Sequence, residues 1–193
     1  MKLLDCYMPV FIQISDVETN YNRYDSFQNT RDKFTLIIEQ AVSRAENLNI
    51  TDRERDDAFY AVTVLIDEKI LCSSLNFRDE WRDNLLQYKY FGNSVGGELF
   101  FEKLDDLDGI HSEALSVFLF CLLLGFKGKY IESNQDVIGD YISKLHGIIL
   151  NEPASSAERN ILEKRTRLKH FTLRKAILIL LSFYLMTSFA LIM

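Results

Sequence analysis

Thr51-Asp-Arg-Glu-Arg-Asp-Asp-Ala-Phe-Tyr-Ala-Val-Thr-Val-Leu-Ile-Asp-Glu-Lys-Ile-Leu-Cys72 decides the fold class. It opens with Thr51 and Glu54 at the spacing of a capping box, in which hydroxyl and carboxylate satisfy each other's backbone donors. From Ala58 to Cys72 it is apolar nearly all round, the mark of a helix enclosed by other helices. Its few charges, Asp67, Glu68 and Lys69, therefore need partners. Neighbouring positions diverge by about 100° around a helix, so Asp67 and Glu68 do not converge easily on one substrate atom. Their expected role is to accept hydrogen bonds from backbone donors, from Trp81, or from an arginine such as Arg78 or Arg82.

Working outward, only two prolines and eight glycines interrupt the chain, and apolar residues recur at helical spacing, which predicts an all-α domain. Towards the N-terminus, a helix over Leu3 to about Val17 and a polar connection, Asn20 to Asp25, precede a helix from about Ser26 to Leu48. That helix carries one stripe of Phe34, Ile37, Ile38, Ala41, Ala45 and Leu48. Beyond Cys72 a helix is predicted from about Asp79 to Tyr90, presenting Trp81, Leu85 and Tyr88. The turn Phe91-Gly-Asn-Ser-Val-Gly-Gly97 leads into a helix from Glu98 to about Leu107. An apolar helix from Ser112 to Leu124 ends at Gly125, a residue suited to a left-handed C′ position, with Phe126 folding back on the last turn. A last helix from about Gln135 to Leu150 has Val137, Ile138, Tyr141, Ile142, Leu145 and Ile149 as its inner face, and Asn151 to Ser156 reads as a break.

The end of the sequence has a different character. Ala176 to Met193 carries no charge, Pro or Gly, and at about 1.5 Å per residue it just crosses a hydrocarbon core. Lys164, Arg165, Arg167, Lys169, Arg174 and Lys175 precede it with no acidic residue after Glu163, so the positive-inside rule puts the N-terminal side in the cytoplasm. Residues 1–150 are thus read as a cytoplasmic domain, 151–175 as a basic juxtamembrane linker and 176–193 as a single transmembrane anchor. A homodimer through the anchor stays open, because it has no Gly-xxx-Gly pattern and only Ser182, Thr187, Ser188 and Ala190 are small or polar.

With those six basic residues set aside, 16 Lys and Arg face 28 Asp and Glu, a formal charge of −12 on residues 1–163. Such a body repels nucleic acid and favours basic partners. Cys6, Cys72 and Cys121 are far apart, odd in number and set in apolar sequence, as reduced core thiols would be. His111, His146 and His170 stand in no pattern with Ser or Cys. Neither the Gly92/Gly96/Gly97 group nor Gly125-Phe-Lys-Gly128 makes a nucleotide-binding fingerprint, and Cys and His lack metal-ligand spacing. No catalytic residue, cofactor or metal is expected. Phe100 and Phe101 read as aromatic core anchors.

Four ordered motifs carry a resemblance: Ile66-Asp-Glu68; Trp81; Phe91-Gly92 with Gly96-Gly-Glu-Leu-Phe-Phe101; and Cys121-Leu-Leu-Leu-Gly-Phe-Lys-Gly-Lys-Tyr130. Together they resemble the cytoplasmic domain of TssL and DotU (IcmH), inner-membrane components of type VI and type IVB secretion systems. The resemblance spans about Leu4 to Leu150. It implies a hook of two small three-helix bundles followed by one C-terminal membrane helix, and a structural role rather than an enzymatic one. The implied partners are an IcmF/TssM-like inner-membrane protein and the baseplate or other cytoplasmic secretion components. Some TssL proteins add a peptidoglycan-binding domain beyond the membrane helix; this sequence shows none, so wall attachment is expected from a partner.

Within that resemblance, Gly96 and Gly97 would allow close backbone approach, Phe100 and Phe101 would fill the core, and Gly125 and Gly128 would shape the following loop. The motif residues taken as partner-binding or fold-defining are Asp67, Glu68, Trp81, Gly96, Gly97 and Glu98, then Phe100, Phe101, Gly125, Phe126, Gly128 and Tyr130. Asp67 and Glu68 are also candidates to face a cleft and meet a partner. Two competing readings are a tail-anchored adaptor for a basic cytosolic partner and a membrane-tethered hydrolase using Asp67 or Glu68.

Overall fold

The computed structural model describes residues 1–131 and 136–150, so the basic linker, the anchor and the proposed start at Gln135 lie outside the described residues. Every regular element among the described residues is helical. The helices are α1 (Leu3–Thr19), α2 (Phe27–Glu46), α3 (Asp52–Leu71), α4 (Arg78–Arg82), α5 (Leu86–Phe91), α6 (Gly96–Asp105), α7 (Ser112–Leu123) and α8 (Asp136–Leu150). Short 3₁₀ turns lie at Tyr21–Arg23, Gly109–His111 and Gly128–Tyr130.

Several helix ends lie where side chains or a backbone motif satisfy loose backbone groups. Ser26 caps α2 by accepting from the Asn29 amide at 3.4 Å. Thr51 and Glu54 form the expected capping box, with amide contacts of 3.0 and 3.2 Å. After α7, Gly125 takes φ +87°, its amide bonding to Leu122 O at 2.9 Å and that of Phe126 to Cys121 O at 3.1 Å. Both bonds of a Schellman motif are therefore present, and Phe126 folds back into the core as expected.

α3 occupies the centre, packed against α1, α2, α4, α5, α6 and α7, with an unbroken buried run from Tyr60 to Asp67. α7 sits against α1, α3 and α8. Although Gly109–Tyr130 is apolar and long enough to cross a membrane, half of it is buried within the protein, so burial against neighbouring helices explains its composition. The stripe on α2 faces inward through Phe34, Ile38, Ala41 and Ala45. On α8 only Leu145 is fully buried, while Val137, Ile138, Tyr141, Ile142 and Ile149 are half-buried.

Three sequence expectations are corrected. The single helix over Asp79–Tyr90 is two helices, because the amides of Leu86 and Gln87 are taken by the Asp67 carboxylate instead of by the preceding turn. The helix predicted from Glu98 starts at Gly96, whose amide donates to the Gln87 side chain at 2.8 Å. Cys72 is exposed at the end of α3, unlike buried Cys6 and Cys121. Its helix runs past the enclosed stretch, and apolar sequence context cannot report where enclosure stops.

A ring of helix caps around Asp67 and Glu68

Asp67 and Glu68 point to opposite places, as their helical offset requires. Asp67 is fully buried. Its Oδ1 accepts from Trp81 Nε1 at 2.9 Å and from the Leu86 amide at 3.0 Å, and its Oδ2 accepts from the Gln87 amide at 2.8 Å. One carboxylate on α3 thus caps the N-terminus of α5 and fixes the indole of α4, with no arginine involved. Trp81 is itself fully buried, its ring edge-on to Phe27 and Phe34 at centroid separations of 5.9 and 6.2 Å.

The capping continues through α5 into α6. Gln87 Oε1 receives the Gly96 amide, so α5 in turn caps α6. Gly96 lies so close to α3 that a Cβ there would stand 2.6 Å from Val64 Cγ1. Any side chain would push α6 off α3. Gly97 then meets Gly128 in the turn after α7, where a Cβ on Gly97 would stand 3.1 Å from Gly128 Cα.

Glu68 closes the ring. Its Oε1 accepts from the Lys127 amide at 2.8 Å and its Oε2 from the Gly128 amide at 2.7 Å. The path Asp67, Gln87, Gly96-Gly97, Gly128, Glu68 returns to the same turn of α3. It ties α3, α5, α6 and the post-α7 turn together through backbone amides and the close approach of Gly97 to Gly128. Burial pushes both carboxyl groups above their ordinary range, and the N–H donors on each oppose that shift.

The remaining motif residues surround this ring. Phe100 and Phe101 are fully buried. Phe100 packs on Phe118 and Phe126 at 4.7 and 4.1 Å, and Phe101 packs on Tyr130 and Tyr141 at 4.7 and 5.1 Å. Glu98 is exposed in the first turn of α6 and does not join the ring. Beside Glu68 a cleft of about 490 Å³ opens, lined in part by Glu18, Tyr21, Lys69, Cys72, Lys127 and Ile131. Lys69 is held there by Glu18 at 2.7 Å. Glu68 lines this cleft, whereas Asp67 is sealed from it.

Some contributors escape sequence reasoning. Gln87, a buried amide in a short helix, gives no signal until Asp67 and Gly96 are seen on either side of it. Glu54 does more than its capping box shows, because its Oε1 also accepts from the Glu113 amide in the first turn of α7 at 3.3 Å. Glu113 in turn accepts from the Leu3 amide at the start of α1 at 2.7 Å. An acidic residue in a first turn is the available signal, but which helix it caps is a tertiary matter.

The arrangement holds carboxylates against backbone amides and leaves neither Asp67 oxygen nor Glu68 oxygen without a donor. A general acid or base must instead reach a substrate proton. The geometry is that of a rigid fold with a cleft on one side.

Comparison with known proteins bears on the family and the fold. The family model described as "Type VI secretion system protein DotU" matches residues 2–193. Among solved structures, the cytoplasmic domain of TssL from Acinetobacter baumannii is similar at 28% identity, covering 79% of this chain and 99% of that one with a TM-score of 0.71. TssL from Vibrio cholerae is 19% identical over 78% of this chain and 97% of that one, with a TM-score of 0.67. SciP/TssL from Escherichia coli Enteroaggregative 042 is 18% identical over 80% and 91%, with a TM-score of 0.65. The last two identities speak for the fold alone. No curated protein sequence matches the chain.

Proposed function

The chain belongs to the DotU family of type VI secretion proteins, whose members are structural components and not enzymes, and from that premise we propose how it acts as a scaffold. The helical domain stands on the cytoplasmic side of the bacterial inner membrane, held by one helix over residues 176–193. It stabilises an IcmF/TssM-like inner-membrane protein and docks baseplate or other cytoplasmic components of the secretion machine.

The observation that carries this reading is the closed ring of caps. It spends both motif carboxylates on rigidity and sets Glu68 at the edge of a cleft whose walls are charged and partly apolar. A rigid cleft is what a docking scaffold requires, since preorganisation lowers the ordering cost of association. The family match running through residue 193 supports inclusion of the anchor, as do the six basic residues before it.

Affinity purification of the full-length protein from membranes tests the proposal. Recovery of a large inner-membrane protein of the IcmF/TssM kind is expected, with loss of cytoplasmic components when Glu68 is replaced by Gln. Recovery of a basic cytosolic protein alone, with no membrane partner, would instead support the adaptor reading.

A further inference from the structure

A second concavity lies where α1, the C-terminal part of α2 and the N-terminal part of α3 meet. It is a groove of about 370 Å³ that none of the motif residues lines. Its lining combines the apolar surfaces of Tyr7, Val42 and Phe59 with the carboxylates of Glu46, Asp52 and Asp56. Arg55, the cation among the described lining residues, is already engaged: it donates to the carbonyls of Leu48 and Ile50 at 3.1 and 2.9 Å and pairs with Asp52. Glu46 and Asp56 are exposed, and neither has a hydrogen-bond or ion-pair partner among the described residues.

Tyr7 supplies an independent observation. Its side chain lines the groove and is otherwise enclosed, and its hydroxyl has no hydrogen-bond partner among the described residues. Burial, aided by the nearby Asp56 carboxylate, pushes the phenol up, so it stays neutral and able to accept or donate. A buried polar group without a partner is uncommon and calls for a reason. A groove with aromatic walls, unpaired carboxylates and an unpartnered phenol suits a cationic head on an apolar stem.

We propose that this groove binds an arginine or lysine side chain, flanked by an apolar residue, from a basic segment of a partner protein. The stem lies against Phe59 and Val42, and the head meets Glu46 and Asp56 with the Tyr7 hydroxyl as an added partner. Charge complementarity favours such an occupant, because the body to which the groove belongs carries a formal −12 over residues 1–163, 16 basic against 28 acidic residues. The proposal is independent of how secretion components use the cleft beside Glu68.

The test uses full-length protein in detergent and a fluorescein-labelled peptide amide, Gly-Leu-Arg-Leu-Gly, titrated at low ionic strength. Saturable binding is expected, weakened about tenfold by Glu46→Gln with Asp56→Asn, the scale of two part-exposed ion pairs. Tyr7→Phe, which keeps the ring and removes only the hydroxyl, also weakens it. Asp79→Asn with Glu80→Gln removes the same charge from α4 and leaves binding unchanged. Equal loss from both double variants would reduce the effect to diffuse charge and overturn the proposal. So would binding that a Gly-Leu-Gln-Leu-Gly peptide matches, an unchanged Tyr7→Phe titration, or no saturable binding. Purification of the membrane complex reads the proposed function separately, so the two ideas fail independently.

Discussion

Gly97 in the first turn of α6 and Gly128 in the turn after α7 meet backbone to backbone. A Cβ on Gly128 would stand 2.7 Å from the Gly97 carbonyl oxygen, and one on Gly97 would stand 3.1 Å from Gly128 Cα. Two glycines distant in sequence thus set how closely α6 approaches the end of α7.

Gly128→Ala is expected to destabilise the domain by about 2–4 kcal/mol, combining a crowded contact with a left-handed backbone. The residue sits at φ +49°, where a side chain is strained even with room to spare. Gly97→Ala, free of that strain, should cost about 1–2 kcal/mol through crowding alone. Urea unfolding of the two variants orders them; equal losses would mean that the positive φ contributes nothing.

Asp67→Asn places an amide N–H₂ against backbone donors that now have a carboxylate, and should cost about 2–4 kcal/mol. Trp81→Phe keeps an aromatic ring and removes only one of the three donors, so a smaller loss of about 1–3 kcal/mol is expected. Hydrogen exchange at the Leu86 and Gln87 amides separates the two. Both amides lose protection in Asp67→Asn and keep most of it in Trp81→Phe.

The pH dependence has an unusual sign at Asp67. Burial holds its folded value above the ordinary one near 3.8, so its contribution is complete below that ordinary value and is lost as pH rises through the folded one. Wild type should therefore gain stability relative to Asp67→Asn as pH falls from about 7 towards about 4. Denaturation midpoints of the pair across that range check it; a difference that shrinks on acidification would show the donors outweighing burial.

Glu54→Gln should loosen two helix starts at once, because the carboxylate serves the capping box of α3 and the Glu113 amide of α7. A loss of about 1–3 kcal/mol is expected, with faster amide exchange at both Thr51 and Glu113. Change confined to Thr51 would mean that the bond to α7 carries no weight.

Removing residues 176–193 should shift the protein from the membrane pellet to the soluble fraction while the helical circular dichroism of the domain persists. Full-length protein should resist extraction by alkaline carbonate. Release of the full-length chain under those conditions would leave a peripheral attachment through the basic segment as the only membrane contact.

Most of the helices were legible in sequence because their signals are local. Thr51 and Glu54 cap α3, Gly125 ends α7, and the stripe on α2 repeats at helical spacing. Each involves residues within a turn or two of one another, where the chain's own geometry enforces the interaction. The motifs of the ring were legible as a set, and so was the expectation that Asp67 and Glu68 would accept backbone donors.

Tertiary structure decided where those donors come from. Asp67 takes amides 19 and 20 residues away and divides what local spacing reads as one helix from Asp79 to Tyr90. Glu68 takes amides 59 and 60 residues away, and Gln87 joins only because α5 already lies on Asp67. The sequence by itself determined the helical class, the enclosed α3 and the acidic body. Which helix ends the buried carboxylates would satisfy was decided only on packing, because a charge removed from water must bond to whatever donors the fold brings to it.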